Sequence, residues 1–546
     1  MAHNHFIEAS EAVRPAGYAL LQKRHEIATL PHFVTSEITE RGTRRSISEN
    51  GKQREIYPRA YWPGETDFEH LEFALKYEGL NLPLLRALLP RLDVADLTKW
   101  IASKPTGAYA RRIWFLFEEL TGKLLKLPDL TQGNYVELAE SKRYYCGRSR
   151  TYRRQRIHFN LLGDLRFCFV IRRTPSLLSW IEKHLDKKVR QVVAKIPAEI
   201  FQRALDYLYK KETRSSYAIE RETPDQARAT RFVELLHRAE KGDFLTKETL
   251  VQLQQAIVDP RFQNMGWRDS INDQNFVSQT TPLYDEQVHF IPPRPQEIAQ
   301  LMDGWLAAAR LAMDDEVPSV VAAAAIAWTF VFLHPFSDGN GRIHRFLIHH
   351  ILARRGFAPE GVIFPVSAAM LDDPRGYDAS LEEFSKPLLS LIKWSFDDEH
   401  QMHVENDTSD LYRSIDCTVM AEALFTFVER TIERDLPAEL RFLLKYDEAR
   451  RQMRNIVELP EPIANFFMRF CQQNGWKLSK AKRRKGGLEK LTDDEVSQLE
   501  TVVRNVFEPE SKDVRVDIEE VPPTREVADD YTKYSGGKSY KPGDEQ

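Results

Sequence analysis

Apolar residues recur at three- and four-residue spacing over HLEFALKYEGLNLPLLRALLPRL (70–92) and ARRIWFLFEELTGKLLKL (110–127), which predicts helices in both stretches. A third stripe, formed by Ile200, Phe201, Ala204, Leu205 and Leu208, predicts a helix opening at Pro197. Proline suits the first turn of a helix, and this one is expected to run through KKETRSSYAIERE and stop before Pro224. Val317 to Leu333 is apolar on all sides but carries Pro318 near its start and is shorter than the roughly 20 residues a bilayer requires. It reads as a buried core helix.

The pattern changes over 262–298, where short apolar runs at Asn275 to Ser278 and Val288 to Ile291 flank a polar connection. That predicts a β-hairpin, ended by Pro292 and Pro293. Ser380 with Glu383, and Thr492 with Glu495, have the spacing of a capping box and predict two further helix starts. The expectation is a mostly α chain. It has a polar segment at 1–60, a helical region at 61–194, a helix within 195–224, a core at 225–400, a second helical region at 401–507 and a flexible tail at 508–546.

Composition narrows the classes without naming a function. The 546 residues are 42% hydrophobic and 29% charged, the range of folded globular proteins, and their number suggests about three to four domains. Lys and Arg total 77 against 81 for Asp and Glu, a formal net charge of −4, so any attraction to nucleic acid or anionic lipid must be local. One local candidate is 141–159, where Lys142, Arg143, Arg148, Arg150, Arg153, Arg154 and Arg156 interleave with Tyr144, Tyr145 and Tyr152. Such a stretch can track a phosphate backbone while stacking on bases. The near-neutral balance favours a loop whose arginines pair with acidic helices, so nucleic acid is not the expected partner. The basic run Lys480 to Lys485 carries the same two readings, and a solvated turn is again favoured. Cys146, Cys168, Cys417 and Cys471 form no CxxC pair, and MAHNHFIEASEAVRP lacks the pattern of a secretory signal. A cytoplasmic protein with no membrane partner is expected.

Candidate chemistry concentrates in HPFSDGNGRIHRFLIHHIL, beginning at His334, where one helix ends, a Gly-rich loop follows and another helix opens. Gly339 and Gly341 let backbone N–H groups approach an anion closely, and the new helix adds the positive end of its dipole. Arg342 and Arg345, three apart, share one face of its first turn and suit a polyphosphate. Asp338 offers the hard oxygen that Mg²⁺ prefers, and His334 is the side chain whose ordinary pKa fits proton abstraction near neutrality. Spacings of five and six residues keep His349 and His350 off the helix face of His344, and no acidic ligand cluster adjoins them, so zinc is not expected.

His334, Pro335, Phe336, Asp338, Gly339, Asn340, Gly341, Arg342 and Arg345 fill every fixed position of the HPFxDGNGRxxR signature, and the chain thereby resembles the Fic family. The resemblance implies a Fic helical bundle over 225–400 with a β-hairpin flap at about 275–291. It implies transfer of AMP from ATP, with Mg²⁺, to a Ser, Thr or Tyr hydroxyl of a protein target lying along the flap, and of the chain itself. His334 would be the general base and Asp338 the metal ligand. Gly339, Asn340 and Gly341 would form the anion hole, Arg342 and Arg345 would hold the outer phosphates, and Pro335 and Phe336 would set the loop. Gly341 stands where the related Doc-like kinases carry Lys, which argues against kinase chemistry.

Ser215-Ser216-Tyr217-Ala218-Ile219-Glu220 resembles the family's inhibitory [S/T]xxxE[G/N] helix, with Ser216 and Glu220 matching and Arg221 standing where Gly or Asn is usual. The resemblance implies that Glu220 restrains the site by pairing with Arg345, and that the helix at 195–224 is inhibitory. Alternatives are a deAMPylase using the same pocket and a non-enzymatic nucleic-acid-binding regulator. A homodimer is a further candidate assembly.

Overall fold

The computed structural model describes residues 13–49, 52–196, 198–270, 274–280, 286–314 and 317–507. The predicted tail at 508–546 and the first-turn role of Pro197 lie outside them. The described chain is mostly helical, with small sheets, and divides into two compact units. One comprises residues 1–195 and 205–431; the other comprises 196–204 and the chain from 432 onward.

The first unit opens with elements that the expected polar segment at 1–60 did not include. Strands Val13–Ala16, Val34–Thr39, Lys52–Pro58 and Arg45–Glu49 form a four-stranded sheet in that spatial order. The inner face is sparse, with Ala16, Ile38 and Tyr57 packing on Phe73, and the polar Ser36 and Thr39 are buried as well. So few apolar residues on short strands leave almost no period-two signal.

The expected helix at 70–92 is broken into Asp67–Phe73, a π turn at Ala74–Glu78 and Leu82–Leu88. Gly79, at φ 89°, turns the chain between them, and Asn81 caps the new helix. The next amphipathic stretch forms Ala108–Thr121 and ends at Gly122 in the left-handed conformation. The region expected to be helical through 194 also holds short strands at Val136–Glu137, Arg150–Tyr152, Ile157–Phe159, Leu162–Gly163 and Cys168–Val170. The basic stretch lies partly within them. Tyr144 and Tyr145 are buried, and Arg154 donates to Glu118 at 3.0 Å and to Asp129 at 2.6 Å.

The bundle is built on Ser319–Leu333, whose side chains are buried almost all round, as its uniform apolarity requires. Its run of alanines from Ala322 to Ala325 lets neighbours approach closely. Pro295–Asp314, Asn340–Arg354 and Thr418–Arg430 pack against it. Ser380 corrects the expected capping box: it lies inside Pro374–Leu389, which Asp373 caps, and accepts from Trp328 Nε1 at 3.0 Å.

The second helical region also begins differently from expectation. A hairpin of Trp394–Phe396 with Met402–Val404 and a strand at Ser414–Asp416 precede Thr418–Arg430, and all belong to the first unit. The remaining unit is helical, with Leu436–Arg454, Glu461–Gln473 and Asp493–Phe507 around Ala449, Met453, Phe467, Cys471, Leu499 and Val503. Thr492 and Glu495 do form a reciprocal capping box there.

Candidate active site

His334 terminates the core helix in the left-handed conformation (φ 50°, ψ 56°), and Pro335 prevents the helix from continuing. A non-glycine residue in that region costs on the order of 1 kcal/mol, which its surroundings must supply. They do so through Arg268, which is buried. It donates from Nε to His334 O at 2.8 Å and from its backbone N–H to Pro335 O at 2.9 Å, and its guanidinium also bonds Pro293 O. His334 Nδ1 lies 3.1 Å from Val331 O, which assigns the ring proton to Nδ1 and leaves the Nε2 lone pair free. Burial, and then the positive charge of Arg268, lower its pKa to about 4. The ring is therefore neutral at pH 7, farther from its ordinary value than the sequence alone suggests.

Side-chain amides hold the loop after His334. Asn340 accepts from Phe336 N at 3.1 Å and donates to Phe336 O at 2.7 Å. Asn264 accepts from Ser337 N, Gln254 donates to Asp338 O, and Asn275 donates to Phe336 O. Phe336 is buried and packs on Trp267 with ring centroids 5.2 Å apart. Gly339, at φ 91°, has no room for a side chain, since a Cβ would lie 2.7 Å from Val258 Cγ2.

The next helix, Asn340–Arg354, starts at this loop and directs its free N–H groups out of it. The carboxylate of Glu220 lies over that start: a Cβ on Gly341 would fall 2.1 Å from Glu220 Oε1. Glu220 accepts from Arg345 Nη2 at 2.8 Å, while Ser216 accepts through Oγ at 2.9 Å and through its carbonyl at 2.7 Å. Arg345 is fully buried. Burial lowers its pKa, but Glu220 and the hydroxyl of Tyr377 more than offset this and hold it above its ordinary value. Arg342 donates to Asp338 Oδ1 at 2.6 Å and to Glu222 Oε2 at 2.9 Å, with its guanidinium 5.3 Å from the ring centre of Tyr217. Every residue of the signature is thus brought to one place, together with Ser216 and Glu220.

The helix expected within 195–224 spans Ala198–Ile219 and ends in a reversal of the chain. Arg221 N donates to Ala218 O and Glu222 N to Tyr217 O, with Arg221 left-handed at φ 57°. This is the hydrogen-bond pattern of a Schellman turn, which favours Gly or Asn at the Arg221 position. The flap pairs Val277–Thr280 with Glu286–Phe290, and 281–285 lie outside the described residues. Asn275 and Arg268 tie both flap roots to the His334 segment. Sequence reasoning missed Gln254, Asn264, Arg268, Asn275, Tyr377 and Glu222, because lone polar residues in loops carry no spacing signal.

Asp338 is tested as a magnesium ligand by its own surroundings. Its carboxylate is partly exposed, and Oδ1 takes both the Arg342 bond and one from Gly339 N at 2.5 Å. Among the described residues no group of three or more His, Cys, Asp or Glu side chains converges on a metal position. The arrangement fits the usual magnesium site, in which one carboxylate and substrate phosphates share the ion. His349 pairs with the buried Glu212 at 2.7 Å, and His350 bonds Ala239 O.

Residues 244–352 match the model of the Fic/DOC family, so the segment that carries this loop is a Fic domain. The chain is 38% identical over 73 residues to a protein adenylyltransferase Fic of Nematostella vectensis, covering 13% of this chain and 16% of that protein. It is 32% identical over 122 residues to one of Culex quinquefasciatus, covering 22% of each. The chain thus spans about a sixth to a quarter of the curated relatives it matches. A solved Fic family protein from Desulfovibrio desulfuricans is 14% identical over 61% of this chain and 87% of that one, at a TM-score of 0.32.

Proposed function

We propose that this chain is a protein adenylyltransferase, moving AMP from ATP to a Ser, Thr or Tyr hydroxyl of a target protein and of itself, and restrained by Glu220. The observation that carries the reading is the convergence at one helix start of a neutral histidine, a glycine-lined loop and two arginines, with a carboxylate already resting over Gly341. A carboxylate there marks a place that attracts anions.

His334 Nε2 takes the proton of the target hydroxyl as its oxygen attacks the α-phosphorus, and the bond from that phosphorus to the pyrophosphate oxygen breaks. Nδ1, bonded to Val331 O, keeps the ring oriented for this. Backbone N–H groups at Gly339 to Gly341 bind the α- and β-phosphates, and Arg342 and Arg345 bind the outer ones once freed. Asp338 would hold Mg²⁺, which would supply charge neutralisation. Gly341 leaves room for the phosphate chain, which is consistent with AMP transfer rather than kinase chemistry. The target's extended segment adds to the exposed edge of the flap. A reducing cytoplasm suits the four free cysteines.

The nucleic-acid reading loses support because Arg154, Arg156 and Arg143 are engaged by Glu118, Gly133 O and Tyr77 O. Among the described residues no helix is long and apolar enough to cross a membrane. Incubating the chain with ATP and Mg²⁺ and measuring its intact mass tests the proposal. AMP-sized additions are expected, and Glu220→Gly should increase them. Their absence from Glu220→Gly in the presence of cell lysate, with no modified target, would contradict it.

A further inference from the structure

We propose that Glu222 is a second brake, holding Arg342 as Glu220 holds Arg345. The inference rests on the adenylyltransferase reading and adds a regulatory residue to that same site. The turn at Arg221 carries the chain back over the loop helix, and this reversal places Glu222 Oε2 2.9 Å from Arg342 Nη1. Two residues of one turn therefore engage two successive phosphate-binding arginines. Arg342 is buried and held on three sides, by Glu222, by Asp338 and by the ring of Tyr217, whose hydroxyl is fixed to Ile257 O at 2.8 Å. Arg228 shares Glu222 Oε2 with Arg342, at 3.5 Å, and helps keep the carboxylate in place.

Charge decides the consequence. In this cluster Arg342, Arg345 and Arg228 face the carboxylates of Glu220, Glu222 and Asp338, so the positive charge that would meet the phosphates of ATP is already formally neutralised. Arg342 must leave Asp338 before that carboxylate can turn to a metal, and must leave Glu222 before it can bind phosphate. Of the two arginines, removing Glu220 frees Arg345 and leaves Arg342 held by Glu222 and Asp338. Glu222 is about one-third exposed, which leaves the second brake open to release from solvent, for instance by a partner or by the nucleotide.

The test is nucleotide affinity, measured by calorimetry on the full chain with Mg²⁺ and the non-transferable α,β-methylene ATP. Wild type, Glu220→Gly, Glu222→Gln and the double variant are compared, with Glu222→Ala as a second form in case Gln still bonds Arg342, and with melting curves to establish folding. Glu222→Gln or Glu222→Ala should tighten binding at least fivefold, in wild type and in Glu220→Gly alike. Asp225→Asn, which removes an equal charge from a residue that pairs with Arg228, should change it less than twofold. Unchanged affinity in both Glu222 variants would overturn the proposal, as would an equal gain from Asp225→Asn. If the Glu222 variants bind more tightly but no variant transfers AMP, the brake stands and the adenylyltransferase reading fails. If AMP is transferred and Glu222 has no effect, the reverse holds.

Discussion

The carboxylate of Glu220 stands 2.8 Å from Arg345 Nη2 and directly over Gly341, so one acidic residue occupies both a cation and the start of a helix, where the dipole end favours negative charge. Removing that carboxylate should free both. Glu220→Gly is expected to raise self-labelling with AMP tenfold or more, equivalent to about 1.4 kcal/mol or greater on the barrier. Adding Arg345→Ala should cancel the gain, because the released arginine is what the first substitution supplies. Labelling at the wild-type rate by folded Glu220→Gly would show that this contact does not restrain the site.

The acid limb of the pH–rate profile reports His334. With its pKa lowered to about 4, the basic form persists down to that value, so the rate should stay level on the acid side of neutrality and fall only as pH approaches about 4. Arg268→Gln keeps a donor for His334 O but removes the nearby charge, and should move the limb to higher pH. Glu220 and Asp338 also face the ring and act in the opposite sense, so the Glu220→Gly background should place the limb slightly lower. A limb already at the ordinary histidine value in wild type would contradict the geometry.

Asn340 belongs to the anion-hole signature, yet its side chain serves the loop, bonding both the N–H and the C=O of Phe336. Asn340→Ala removes the acceptor of the Phe336 N–H, a cost of roughly 1–3 kcal/mol, and one of the two donors to Phe336 O, which Asn275 still serves. Labelling should fall at least tenfold in the Glu220→Gly background. Asn340→Asp, which can still accept from Phe336 N, should lose less. Equal losses from the two would argue against the clamp.

Glu78 gives a stability prediction remote from the site. It is buried beside Tyr18, whose backbone N–H it accepts at 2.7 Å, and burial raises its pKa to about 7. The folded state therefore binds a proton between about pH 4.5 and 7 that the unfolded state has lost, so this group's contribution is fully present below about pH 4.5 and declines toward pH 7. Glu78→Gln should raise the melting temperature at pH 8 relative to wild type, by an amount corresponding to at most about 3 kcal/mol, and change it little at pH 4.5. The same gain at both pH values would show that charge is not the cause.

What the sequence made legible follows from how signals are spaced. The core helix and the flap strands stand close to where the sequence puts them: the helix is apolar on every side, and the second flap strand buries Val288 and Phe290. The signature supplied the site because nine residues fall within twelve positions. The sheet at residues 13–58 escaped because its buried face carries Ser36 and Thr39 among few apolar residues. Ser380 misled because a buried serine serving Trp328 looks, in sequence, like a cap. Arg268 was invisible for a different reason: its partners are the carbonyls of His334 and Pro293, and backbone acceptors leave no mark on a sequence. Arg221 was visible as a departure from the family pattern, but its left-handed turn and the resulting reach of Glu222 to Arg342 required coordinates.

The most direct measurement compares α-labelled with γ-labelled ATP on Glu220→Gly, with Mg²⁺, in the presence and absence of His334→Ala. Label from the α-position alone should become covalently attached to the chain or to a lysate protein, and loss of the His334 base should reduce its rate by at least about 10²-fold. Label from the γ-position, or α-label that His334→Ala leaves undiminished, would contradict AMP transfer by this loop.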